Sequence, residues 1–146
     1  MGLMAKNCAL TVFHVENPAA VTAEKLKQFA FTPIDDLPNE ETARGWVNFD
    51  DILDLAWEVS VPEKGNFMVF GFRIDTRRVP APVLKVEYEK ALQEEMEKAQ
   101  AEGKKFVSRE RKKELKALIK AKLMAKTPPS PAVVDAALDM SSGQLF

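Results

Sequence analysis

The stretch VPAPVLKVEYEKALQEEMEKAQAEGKKFVSRERKKELKALIKAKLMAKTPP, residues 79–129, decides the fold. Its apolar positions recur at helical spacing on both sides of one glycine. Leu84, Tyr88, Leu92, Met96 and Ala99 follow one another at intervals of four, four, four and three. They form a single stripe along a helix predicted from Val83 to Ala101. Gly103 ends that helix. Ser108 can cap a second one, running to Lys126, and Thr127-Pro128-Pro129 stops it. Two helices of similar length joined by a short turn make an antiparallel hairpin.

Working outward, Arg77-Arg78-Val79-Pro80-Ala81-Pro82 is a stiff lead-in to the hairpin. Before it, Phe67 to Ile74 alternates two largely apolar faces and predicts a central strand covered on both sides. Pro62 to Asn66 reads as a turn, and residues 51–57 fit either a helical turn or an irregular strand. Gly45-Trp46-Val47 begins a short strand after a polar loop over 33–43, which holds Pro33, Pro38 and four acids. Thr22 can cap a helix over Ala23 to Ala30 whose buried face is Leu26, Phe29 and Ala30. Cys8 to Val15 reads as a first strand. After the hairpin, Val133 to Leu138 reads as a strand, Ser141-Ser142-Gly143 as a turn, and Gln144-Leu145-Phe146 as the start of a return strand. The chain thus reads as stopping inside a hairpin, as a truncated protein would.

The expected fold class is α+β: a small mixed or antiparallel sheet with a packed helix and a protruding antiparallel helical hairpin. The expected divisions are a body over 1–82, the hairpin over 83–127, and the start of a second β-hairpin over 128–146.

A chain of 146 residues can bury a core without disulfide or metal staples. Cys8 is the only cysteine, so no internal disulfide forms. No apolar run approaches the roughly 20 residues that span a bilayer, and the N-terminus lacks the apolar stretch of a signal peptide. A cytoplasmic location without membrane contact is expected.

Charge is unevenly distributed. The formal net charge is −1, yet residues 104–126 hold 10 Lys and Arg against 2 Glu. Such a segment suits phosphates or acidic partners. On a helical wheel with Leu115 at zero, Leu118, Ile119 and Leu123 fall at about 300°, 40° and 80°, the expected packing face. Arg109, Lys112, Lys113, Lys116 and Lys120 fall between about 60° and 160°. Glu110 and Glu114 lie on the opposite flank. Cations sorted to one side of a helix suit a phosphate backbone, where each contact releases counterions. The competing reading is a solvated face whose lysines pair with the glutamates of the first helix. Few arginines and no interleaved aromatics along this stripe argue for backbone contact over base readout.

Other signals are weaker. His14 reads as a core or edge histidine. No Cys/His cluster has zinc spacing, and no glycine-rich phosphate loop occurs. Asp35, Asp36, Asp50, Asp51, Asp54 and Glu58 are acids of the kind that hold Mg²⁺ in nucleases, but read more simply as capping and solubility devices. Trp46 and Trp57 read as core or interface anchors. Arg73, Arg77 and Arg78, at the strand end, extend the expected basic surface. No catalytic residue, metal ligand, cofactor or small-molecule substrate is expected.

Phe29-Ala30-Phe31-Thr32-Pro33 followed by Gly45-Trp46-Val47 resembles the N-terminal half of the RdgC family of recombination-associated DNA-binding proteins. So does Val79-Pro80-Ala81-Pro82-Val83-Leu84-Lys85 opening a lysine- and glutamate-rich helical hairpin. The ending, Leu138 to Phe146, is similar to the first part of that family's next β-hairpin. The resemblance implies a bacterial, nucleoid-associated protein that binds duplex DNA with little sequence preference and restrains recombinase-driven strand exchange. It implies a head-to-head dimeric ring with a positively charged hole, and an exonuclease label on some members. It also implies a chain about twice this length.

The expected function is therefore sequence-independent binding of double-stranded DNA without catalysis, by a homodimer. The phosphate contacts would be Lys104, Lys105, Arg109, Lys112, Lys113, Lys116 and Lys120, with Arg73, Arg77 and Arg78. One alternative is a protein-interaction module docking through Leu115, Leu118, Ile119 and Leu123. The other is a metal-dependent nuclease using the acids between 35 and 58.

Overall fold

The computed structural model describes residues 9–37 and 40–146. Cys8, at the start of the expected first strand, and Pro38, in the acidic loop, lie outside the described residues. The chain divides into two compact units. One comprises the residues up to Thr76 together with Ser130–Phe146, and the other is Arg77–Pro129. The last segment thus belongs with the body.

The first unit is built on an antiparallel sheet. Its strands are β1 (Phe13–His14), β2 (Thr42–Asn48), β3 (Glu63–Lys64), β4 (Phe67–Thr76), β5 (Ser130–Asp139) and β6 (Gln144–Leu145), in the order β1-β6-β5-β4-β2, with β3 paired to the start of β4. β4 is central, with Phe72 opposite Trp46 on one side and Val134 on the other. Its alternation sorts its side chains to two faces. Met68 and Phe70 join Leu26, Trp57 and Leu138 in one buried cluster; Phe31, Ile34, Ala43 and Val47 form a second. Val47 and Ala43 pair with Gly71 and Asp75 of β4, so the second cluster lies on its other face and β4 is covered on both sides there, as expected.

Helix α1 (Ala23–Gln28) starts where Thr22 accepts a hydrogen bond from the Lys25 amide, and buries Leu26. It is shorter than expected. Phe29 is its C-cap, out of helical phase, and its ring is 64% exposed, so Phe29 does not belong to the buried face. The strand expected over Cys8 to Val15 is limited, among the described residues, to β1, because only that pair finds a partner, in β6. His14 lies on this edge strand and is exposed.

Residues 51–57 are neither helix nor strand. Asp54 organises them: its carboxylate accepts from the Val59 amide at 2.7 Å and from Asn48 Nδ2 at 3.1 Å. These bonds, with the Val59 amide dominant, hold its pKa below the ordinary carboxylate value. Trp57 has a φ of 58°, a conformation that few side chains adopt, and is held there by burial in the first cluster. Trp46 is partly buried and packs edge-on against Phe70, with ring centroids 5.1 Å apart.

The second unit is the hairpin: α2 (Ala81–Ala101) and α3 (Arg109–Lys126). Pro80 and Pro82 sit at the first turn of α2, where a missing N–H costs nothing. Its other end closes on Gly103, at φ 78°. The Gly103 amide donates to the Gln100 carbonyl at 3.0 Å and the Lys104 amide to Ala99 at 2.8 Å, satisfying the last carbonyls of α2. Ser108 Oγ accepts from the Arg111 amide at 3.1 Å and caps α3. Thr127 closes α3 by donating its hydroxyl to the Leu123 carbonyl at 2.8 Å. Among the described residues, no helix is long and apolar enough to cross a membrane.

Candidate nucleic-acid interface

The hairpin has a thin core. Val107 and Leu115 are buried; Leu84, Tyr88, Ala91, Leu92 and Ala99 of α2 and Ile119 and Leu123 of α3 are half-buried. Leu118 is not part of it. It is 63% exposed, against 8% for Leu115. The contact arc is centred between Leu115, Ile119 and Leu123, so a residue about 60° to the far side of Leu115 falls outside it. Met96 departs from the α2 stripe in the same way and is also exposed.

This narrow contact arc decides what α3 offers to solvent. Arg109, Lys112, Lys113, Lys116 and Lys120 occupy the flank next to the Leu123 edge of the arc, and all five are exposed. Lys104 and Lys105, in the connecting loop, are exposed as well. Several charges of α2 and its C-cap are paired elsewhere. Glu87 pairs with Lys90 at 3.1 Å, and Glu89 with Lys85 at 4.0 Å, both within α2. Glu102 pairs with Lys104 at 2.7 Å, which raises the lysine's pKa above its ordinary value. Arg111 reaches Glu95 at 2.6 Å and Glu114 at 3.4 Å. The hydrogen bond from Arg111 lowers the pKa of Glu95. Among the described residues, none of Arg109, Lys112, Lys113 and Lys116 pairs with an acid. The competing reading, lysines neutralised by the first helix, therefore describes Lys104 and Arg111 and not Arg109, Lys112, Lys113 or Lys116.

The three arginines expected at the strand end do not act alike. Arg73 sits in β4 with Nε 2.7 Å from Asp75 Oδ1 and Nη2 2.7 Å from Oδ2, a two-point pair on one face of the strand. Its guanidinium carbon also lies 4.4 Å from the centroid of the Phe31 ring. With 17% of its side chain exposed, its charge is committed inside the sheet unit, and Asp75 raises its pKa further. Arg77 is half-buried and Arg78 exposed, both in the hairpin unit.

Three of the acids considered for a metal, Asp50, Asp51 and Asp54, have other occupations. Asp50 accepts from Lys64 Nζ at 2.8 Å and from the Ser60 hydroxyl, and these bonds lower its pKa. Asp51 accepts from the Leu53 amide at 2.9 Å. Among the described residues, no group of three or more His, Cys, Asp or Glu side chains is arranged to hold a metal ion.

One residue escaped the sequence reading. Phe106, in the loop between the helices, is 76% exposed. Its signal is the run Lys104-Lys105-Phe106, an aromatic beside two cations and outside both apolar stripes.

No curated protein matches this chain. The model of a family described as "Putative exonuclease, RdgC" matches residues 6–146. The match takes in both the sheet unit and the hairpin, so the chain belongs to the RdgC family, a recombination-associated DNA-binding family.

Proposed function

We propose that this chain binds double-stranded DNA without sequence preference, through the cationic flank of α3, and so restrains recombinase-driven strand exchange at the nucleoid. The observation that carries this reading is the set of exposed cations at Arg109, Lys112, Lys113 and Lys116, sorted to one flank and paired with no acid among the described residues. Lysine on a helix flank contacts phosphates without reading bases. Lys104, Lys105, Lys120 and Arg78 are further exposed cations that would add phosphate contacts. Arg73 contributes least, because Asp75 already neutralises it, and half-buried Arg77 is a secondary contact.

Binding to a labelled duplex of about 30 base pairs, followed by fluorescence anisotropy at several salt concentrations, tests this. The logarithm of affinity should fall linearly with the logarithm of salt, at about 0.9 per phosphate neutralised. Neutralising Arg109, Lys112, Lys113 and Lys116 together should abolish most of that slope. Unchanged affinity in that variant would sink the site assignment. The reading is of binding without turnover; Mg²⁺-dependent loss of a labelled DNA end would overturn that part in favour of the nuclease that the family description names.

A second reading rests on Leu118, whose exposure leaves an apolar side chain on the other flank of α3. There the hairpin would dock a protein partner, such as a second copy in a homodimer. Self-association that survives high salt and is lost in Leu118→Glu would favour it, since buried apolar contact is not screened.

A further inference from the structure

We infer that Phe106 is a base-stacking residue, and that it gives the hairpin tip a preference for DNA with unpaired bases over intact duplex. The inference rests on the DNA reading above and deepens it.

The loop that presents Phe106 is fixed at both ends. Gly103 and Lys104 donate back into the last turn of α2, and Ser108 caps α3. Val107, the next residue, is buried in the hairpin core. These bonds and the buried Val107 anchor the loop on both sides of Phe106, which reduces the ordering cost of binding. Within this fixed loop the phenyl ring stays in water. Leaving a Phe exposed forgoes one of the larger apolar gains a side chain can make, so folding of the hairpin does not explain it.

The surroundings of the ring narrow the ligand class. Lys105 and Arg109 are exposed and have no acidic partner among the described residues. Phe106 also walls a cleft of about 650 Å³, shared with Lys98, Lys105, Val107, Ser108 and Arg111. Two acids of this cleft, Glu95 and Glu102, are already neutralised by Arg111 and Lys104. A flat apolar ring beside unpaired cations fits a ligand that is at once anionic and rich in exposed aromatic faces. Single-stranded nucleic acid has both properties, whereas an intact duplex hides the faces of its bases. The flank of α3 would track the phosphates while the tip engages the unpaired base.

The experiment compares the full chain with Phe106→Ala, Phe106→Leu and Phe106→Trp, by anisotropy against a single strand, a forked duplex and a blunt duplex. Phe106→Ala should weaken single-strand and fork binding by about tenfold, the scale of removing one stacked base, and leave blunt-duplex binding unchanged. Phe106→Trp should retain the preference, and Phe106→Leu should lose it, because leucine keeps apolar bulk without a π face. If the wild type binds duplex but Phe106→Ala changes no substrate, or changes all of them equally, this inference fails while the duplex reading stands. If Phe106→Leu matches the wild type, stacking is overturned. If Phe106→Ala lowers self-association in the ultracentrifuge and leaves every DNA affinity intact, the ring serves a protein contact and the inference is wrong. If no DNA binds at all, the duplex reading and this one fall together.

Discussion

The guanidinium of Arg111 crosses from α3 to α2, where its Nη2 lies 2.6 Å from Oε1 of Glu95. This ion pair joins the two helices close to the connecting loop. Arg111→Ala should lower the melting temperature of the hairpin, and Glu95→Ala should add little to that loss, because the pair is one interaction. Four thermal melts by circular dichroism measure the cycle. Additive losses would show that the two residues act separately. Since this charge is already engaged, Arg111→Ala should also weaken duplex binding less than Lys112→Ala does.

Salt dependence distinguishes the sorted flank from the remaining cations. Replacing Arg109, Lys112, Lys113 and Lys116 by glutamine takes away the cations that would neutralise phosphates. The slope of log affinity against log salt should become shallower by about 0.9 for each phosphate no longer neutralised. The same number of substitutions at Lys25, Lys85, Lys90 and Lys122, away from that flank, should change the slope little. Equal effects from both sets would mean that only net charge matters.

Leu115 and Leu118 lie three residues apart on one helix and differ in exposure, 8% against 63%. Leu115→Ala should destabilise the hairpin by about 2 kcal/mol, the low end for a core leucine because this core is thin. Leu118→Ala should change stability by less than about 0.5 kcal/mol, as an exposed site does. Amide hydrogen exchange within α2 and α3 reads both. A large loss at Leu118 would mean that a partner covers it.

The contrast between these leucines shows where sequence reasoning reached its limit. The hairpin was legible because its punctuation is local: Gly103, Ser108 and the Thr127-Pro128-Pro129 stop each act within one turn. The central strand was legible because Phe67 to Ile74 alternates at period two. The wheel sorted the cations of α3 correctly but could not place the centre of the contact arc. That centre depends on how α2 packs, so Leu118 and Met96 fit the apolar pattern and yet lie outside the core. Arg73 and Asp75 share a strand face two residues apart, but the Phe31 ring 4.4 Å from the guanidinium is a contact set by tertiary structure. Phe106 belonged to no periodic pattern, and only its exposure in the folded loop distinguishes it.

The turn between β5 and β6 holds a pH-sensitive carboxylate. Asp139 accepts from the Ser141 hydroxyl at 2.6 Å, the Ser141 amide at 2.9 Å and the Ser142 hydroxyl at 2.8 Å. These bonds, with the Ser141 hydroxyl dominant, hold its pKa at about 2 against an ordinary 3.8. A carboxylate with a lowered folded pKa stabilises the fold at pH above its unfolded value. That contribution is present above about 3.8 and lost as pH falls through about 2. Carboxyl NMR should find the Asp139 midpoint near the lower value, and Asp139→Asn should flatten the acid limb of the stability profile. A midpoint at the ordinary value would mean that the turn does not hold these bonds in solution.

Gly45 leaves no room for a side chain. Its own strand, β2, is bridged in parallel by Ala30 through Trp46, with the Phe31 amide donating to the Trp46 carbonyl at 2.9 Å and the Trp46 amide to the Phe29 carbonyl at 3.1 Å. This brings the backbone of Phe31 over Gly45. A Cβ there would lie 2.4 Å from Phe31 Cα and 2.5 Å from its nitrogen. Both are main-chain atoms, which cannot swing aside as a side chain does, so relief requires separating the segment from β2. Gly45→Ala should therefore cost about 3 kcal/mol, the upper end for overpacking. It should also expose Phe31 and Ile34, which the bridge holds in the second buried cluster. Urea denaturation should show a lower midpoint, and amide exchange at Phe31 and Trp46 should accelerate more than exchange in β5. If the two bridge amides stay as protected as in the wild type, the close approach of Phe31 to Gly45 is wrong.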